Sequence, residues 1–246
     1  MQNRSIDSYD FRAGAVLLIN KPLTWTSFDV VNKVRYALKR HLNVKKIKVG
    51  HAGTLDPLAT GLLILCTGKA TKSINDYQAQ VKRYEGTLRL GATTPSYDAE
   101  TEVDQTYALE NLNEVRLQAV CKQFLGEIEQ IPPMFSAIKV DGQPLYKAAR
   151  KGKTVEVKSR TVTIEQFELA RIELPEVDFA VTCSKGTYIR SLAHDFGRAL
   201  DNGAYLTRLV RTGIGDFKLS DAWELEELVA CINKYPHPPA SGNGDD

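Results

Sequence analysis

The sequence predicts an α+β protein built on a largely antiparallel sheet. Three observations carry this. Segments of alternating apolar and polar residues, at 82–91 and 155–171, stand beside segments of helical spacing, at 30–38 and 189–200. The two kinds do not alternate strictly, as βαβ units in a parallel sheet would require. The 246 residues, 43% hydrophobic and 25% charged, are enough for one large domain or two small ones with a core.

Composition excludes several classes. A net charge of +2 does not announce a nucleic-acid binder, so such a role needs a local patch. Cys66, Cys121, Cys183 and Cys231 are scattered without a C-x-x-C pair, which argues against a structural zinc site or a disulfide framework and fits a reducing cytoplasm. The polar start at 1–7 does not read as a signal peptide, and the apolar runs are too short to span a bilayer.

Residues 1–12 read as a loosely ordered N-terminal extension. Residues 15–20 form a short buried strand ended by Lys21-Pro22. Thr26 or Ser27 caps a helix whose inner face is Val30, Val31, Val34, Ala37 and Leu38. The other face and the next loop carry Lys33, Arg35, Lys39, Arg40, His41, Lys45, Lys46 and Lys48, with no acidic residue between Asp29 and Asp56. This is the local basic patch, and phosphate contact is the expectation.

The run 62–66 reads as a buried strand or a short buried helix. The strand at 82–91 places Tyr84, Gly86, Leu88 and Leu90 on one face. Residues 98–112 read as an exposed acidic loop. Residues 113–126 read as a helix with Val115, Ala119, Val120 and Phe124 inward and Gly126 as its stop. A proline-marked loop at 130–142 and a short basic helix at 145–152 come next. One or two strands occupy 155–171, and another 177–183. A helix capped by Thr187 then buries Ile189, Leu192, Ala193, Phe196 and Leu200. The strand at 205–215 and an amphipathic helix at 221–231 close the ordered part, and 234–246 is expected to be disordered.

The densest set of backbone constraints is GHAGTLDPLATG at 50–61. Its glycines permit positive φ, and Pro57 pushes Asp56 away from helical geometry. One carboxylate is thus held on a stiff turn, with the imidazole of His51 a few residues before it. The phrase resembles the catalytic signature of the TruB family of tRNA pseudouridine synthases. Two further phrases resemble that family independently. One is PPMFSAIKVDG at 132–142 with LYKAARKG at 145–152, and the other is SKGTYIRSL at 184–192.

The resemblance implies the pseudouridine synthase fold, with residues 13–233 as the catalytic domain and an RNA-contacting insertion at about 105–155. It implies an isomerase that converts uridine 55 in the T-loop of tRNA to pseudouridine, with no cofactor and no metal. Asp56 would be the nucleophile. Tyr84 would stack on the flipped uracil, as candidate base or relay, and Arg190 would form a charge-assisted pair with Asp56. His51, Lys21, Tyr188, Leu209 and Asp98 would contact substrate. Attack on the sugar, attack on the base and abstraction of a sugar proton all stay open.

The expected partner is the T-arm of tRNA, bound by a cytoplasmic monomer without guide RNA or membrane. The chain resembles a short form, without the family's further C-terminal RNA-binding domain. Two alternatives remain: a guide-RNA-dependent relative, and a non-catalytic protein that binds or folds tRNA.

Overall fold

The computed structural model describes residues 5–136, 138–140, 142–152 and 155–234. The expected disordered tail from 235 onward, the first four residues of the N-terminal extension and Lys153 of the basic stretch lie outside the described residues.

In chain order the elements are β1 (Val16–Lys21), α1 (Ser27–His41), β2 (Val49–His51), β3 (Ala59–Thr67), α2 (Ile74–Ala79) and β4 (Lys82–Leu90). Then come β5 (Ala92–Thr93), β6 (Gln105–Thr106), α3 (Glu114–Gln123), β7 (Gly126–Gln130), β8 (Lys139–Val140), β9 (Gln143–Pro144) and α4 (Leu145–Ala149). The chain closes with β10 (Arg160–Glu173), β11 (Glu176–Cys183), α5 (Ile189–Ala199), β12 (Ala204–Ile214), β13 (Phe217–Lys218), β14 (Trp223–Glu224) and α6 (Leu225–Lys234). Two compact units result: Met1–Gln80 with Arg211–Asp246, and Val81–Val210.

In the first unit β1 pairs antiparallel with β3 and parallel with β14, and β2 adds to β3 antiparallel. The run at 62–66 is therefore a strand. It is apolar throughout because both faces are covered. Leu63 and Leu65 meet Leu17, Ile19 and the inner faces of α1 and α6. Leu62, Ile64 and Cys66 meet Ile214 on the other side. Helix α1 starts where the sequence placed it. The Thr26 hydroxyl accepts from Asp29 N–H at 3.0 Å, and the Asp29 carboxylate accepts from Thr26 N–H at 2.9 Å. That reciprocal cap satisfies two otherwise orphaned donors. The five inward residues of α1 are all buried. The segment before β1 is less loose than expected, because Ile6 and Phe11 are buried in this core.

In the second unit β4, β11, β10 and β7 run antiparallel in that order, with residues 204–210 of β12 beside β4. Helices α3 and α5 cover this sheet through Leu117, Val120, Leu192 and Phe196, which pack on Leu88, Phe167 and Phe179.

Three expectations are corrected here, and one is refined. The buried stripe of α3 is Leu117, Val120 and Cys121, with Phe124 partly buried, while Val115 is 79% exposed and Ala119 is also exposed. Several stripes satisfy helical spacing in a short helix, and contact with β10 chooses one. The loop at 98–112 is exposed over most of its length, as its polarity predicts, but it is anchored: Asp98 and Leu112 are buried and β6 pairs with β5. Thr187 does not cap α5, since its hydroxyl donates to Ser184 O at 3.0 Å. The last helix begins at Leu225, because Trp223 and Glu224 are first used as a strand against β1.

Candidate active site

Asp56 lies half-buried between β2 and β3, on a backbone braced from several directions. The Thr24 N–H donates to Pro57 O at 2.8 Å, and the Ala59 N–H donates to Asp56 O at 3.0 Å. The buried Ser27 hydroxyl accepts the Leu55 N–H at 2.8 Å and donates to Leu55 O at 3.2 Å. Lys21 is fully buried, and its Nζ donates to Trp25 O at 2.6 Å, Pro22 O at 2.9 Å and Pro57 O at 3.4 Å.

Arg211 braces the same loop. It is 1% exposed and donates Nε to Leu62 O at 2.7 Å, Nη2 to Gly53 O at 3.0 Å and Nη1 to Thr54 O at 3.3 Å. Its backbone crosses so near Gly61 (φ +101°) that a Cβ there would sit 2.4 Å from Arg211 O. Glycine at 61 is what lets the two strands touch.

These buried cations set the local electrostatics. Burial pushes the Lys21 ammonium from 10.5 down to about 8; the charge of Asp56 opposes that fall and Arg211 reinforces it. Burial, followed by Arg211, holds the His51 imidazole below its ordinary value of 6.5, so it is neutral at pH 7. Lys21, His51 and Asp56 are thus gathered in one place.

A second set lies in the second unit. Arg190, 4% exposed in the first turn of α5, donates to Phe135 O at 2.9 Å and Ser96 O at 3.1 Å. Its Nε is 3.6 Å from the Asp98 carboxylate. Asp98 is aimed by its own loop, whose Thr94 and Ser96 hydroxyls donate to Asp98 O at 2.7 and 3.2 Å. Between them Tyr97 sits at φ +63° and stacks on His194, one helical turn after Arg190, at 3.9 Å and 12°.

Tyr188 precedes α5, and its backbone is held twice by the fully buried Gln130. The amide Oε1 accepts Tyr188 N–H at 2.7 Å, and Nε2 donates to Tyr188 O at 3.0 Å. The Arg160 guanidinium lies 4.5 Å over the Tyr188 ring. Tyr84, opposite Val181 in register, and Leu209 are partly exposed at the margin of the second core.

Arg211, Gln130 and Ser27 carry much of this geometry, and the sequence marks none of them as a site residue, Ser27 reading only as a candidate helix cap. Arg211 had little signal, since it shares β12 with Thr207, Arg208 and Thr212 and only its burial sets it apart. Gln130 and Ser27 had none, since their partners lie 58 and 28 residues away. Among the described residues no group of three or more His, Cys, Asp or Glu could hold a metal ion. None of the described helices is long and apolar enough to cross a membrane.

A partly exposed carboxylate on a backbone that cannot relax, backed by buried cations, defines a site for nucleophilic or acid–base chemistry. A family model described as "TruB family pseudouridylate synthase (N terminal domain)" matches residues 39–189, and one described as "tRNA pseudouridylate synthase B C-terminal domain" matches 190–238. The chain belongs to the TruB family of pseudouridylate synthases. The second match starts in α5 and runs through β12 to α6, so it takes in strands and helices of the two units rather than an appended module.

The protein named tRNA pseudouridine synthase B of Flavobacterium johnsoniae is 58% identical over 217 residues, covering 88% of this chain and 95% of that one. Its namesake in Phocaeicola vulgatus is 56% identical over 225 residues, covering 92% and 96%. Among solved structures, a chain in a crystal structure of a Cbf5-Nop10-Gar1 complex is 31% identical with a TM-score of 0.68. That match covers 89% of this chain and 54% of the other, so this chain spans about half the length of that protein.

Proposed function

We propose that this chain is a stand-alone tRNA pseudouridine synthase that isomerises uridine 55 of the T-loop, with Asp56 as nucleophile. The reaction breaks the N1–C1′ bond, turns the uracil and joins C5 to C1′. It needs a flipped base, an anionic nucleophile and a final loss of the C5 proton. The observation that carries the reading is the bracing of the Asp56 loop by Lys21, Ser27 and Arg211. A nucleophile gains most when its backbone is set before substrate arrives.

Tyr84 is assigned to stacking on the flipped uracil and to relaying the C5 proton, and Arg190 to a charge-assisted pair with the reacting Asp56 carboxylate. Tyr188, Leu209 and Asp98 frame the base, and His51 contacts the RNA. Lys21 acts from beneath the loop, through Pro57 and the field at Asp56. The protein works as a cytoplasmic monomer.

The test uses an unmodified tRNA transcript and no added RNA or cofactor. Chemical mapping is expected to find one pseudouridine, in the T-loop. Asp56→Asn is expected to bind tRNA and form no product. Turnover by that variant, or modification elsewhere, would overturn the assignment.

A further inference from the structure

We infer that the outer face of α1 is a stacking surface for unpaired RNA bases, an extension of the proposed substrate site on which this inference rests. Phe28 and Tyr36 are 61% and 64% exposed. Eight residues apart, they share one helix face with Asn32 between them, and their separation along the axis is about 12 Å. Both large rings therefore stand in water at a loss of apolar burial that the fold itself does not recover.

The helix itself, through other residues, is tied to the chain of the reactive loop near both ends. Ser27, next to Phe28, is the residue that pins Leu55. Arg35 donates to Asn32 Oδ1 at 2.7 Å and to Val49 O at 2.8 Å, at the strand leading to His51. An open cavity of about 420 Å³, lined by Thr24, Trp25, Asp29, Asn32 and Lys33, lies at its first turns.

Charge selects the occupant. Lys39 and Arg40 share the helix with the rings, Arg40 lies 5.9 Å over Tyr36, and Lys45, Lys46 and Lys48 come directly after the helix. The helix itself has a single acidic residue, Asp29, whose carboxylate is turned into the Thr26 cap; from α6, Glu226 pairs with Lys33 at 3.2 Å, so Lys39 and Arg40 are the helix cations counted here. Cations interleaved with exposed rings match a polyanion that also offers flat apolar faces, which is RNA with bases unpaired. A neutral or basic protein surface would gain nothing from those cations.

The experiment measures Kd for unmodified tRNA over a range of salt with Phe28→Ala, Tyr36→Ala and the double variant. Each alanine is expected to weaken binding by about 5- to 150-fold. The dependence of log Kd on log salt is expected to keep its slope, because a neutral ring releases no counterion. Tyr36→Phe and Phe28→Trp, which keep a stacking ring, are expected to bind as wild type. Alanine variants within about twofold of wild type would overturn the inference. So would a Phe28→Leu variant that binds normally, or a double variant that changes only the oligomeric state. Product mapping with the wild-type protein judges the enzymatic reading separately.

Discussion

Lys21 offers the sharpest test of how the reactive loop is held. Its ammonium is fully buried beneath Pro57 and titrates at about 8 instead of 10.5. The unfolded chain therefore keeps this proton up to pH 10.5, while the folded protein releases it near 8. Between those values the unfolded state binds more protons, so stability rises with pH; below about 8 the full cost of a buried cation is present. The gap amounts to roughly 3 kcal/mol.

Lys21→Met removes the charge and keeps most of the volume. Urea unfolding of both proteins from about pH 7 to 10.5 should show wild type gaining roughly 3 kcal/mol relative to the variant. Activity should move the opposite way. The protonated ammonium favours an ionised Asp56, so kcat/KM, which reports the free enzyme, should fall above a midpoint near 8. The variant should be slower and lack that alkaline limb. A limb at the same midpoint in Lys21→Met, or a stability difference independent of pH, would refute the reasoning.

Packing sets three further outcomes. Arg211→Lys keeps a charge, but one ammonium cannot reach Leu62 O, Gly53 O and Thr54 O together; a loss of about 3–5 kcal/mol in urea unfolding is expected, with a matching fall in turnover. Gln130→Leu leaves the Tyr188 N–H without its partner inside the protein, at a cost of about 1–3 kcal/mol by the same measurement. On α3, Leu117→Ala should cost about 2–5 kcal/mol and Val115→Ser less than about 0.5 kcal/mol, and the reverse order would show the helix rotated about its axis.

The parts legible in sequence share one property: their cause is local. The α1 cap needs only Thr26 and Asp29, and its buried face repeats at helical spacing. The stiff turn around Asp56 comes from glycines and one proline within a dozen residues. Where two local answers fit, as for the stripe of α3 or a cap at Thr187, the choice was made by β10 and by Gln130, which no local pattern contains.

The sequence by itself determined the α+β class, the constrained carboxylate loop and the elements that carry the site residues. Only the tertiary structure decided that Lys21 is a buried brace rather than a solvated strand end, and that a guanidinium 149 residues away holds Leu62 O. It likewise decided that Arg190 is met by Ser96, Phe135 and Asp98 from its own unit. Burial and hydrogen-bond partnership are properties of strand register between distant segments, and register is settled by the whole core at once.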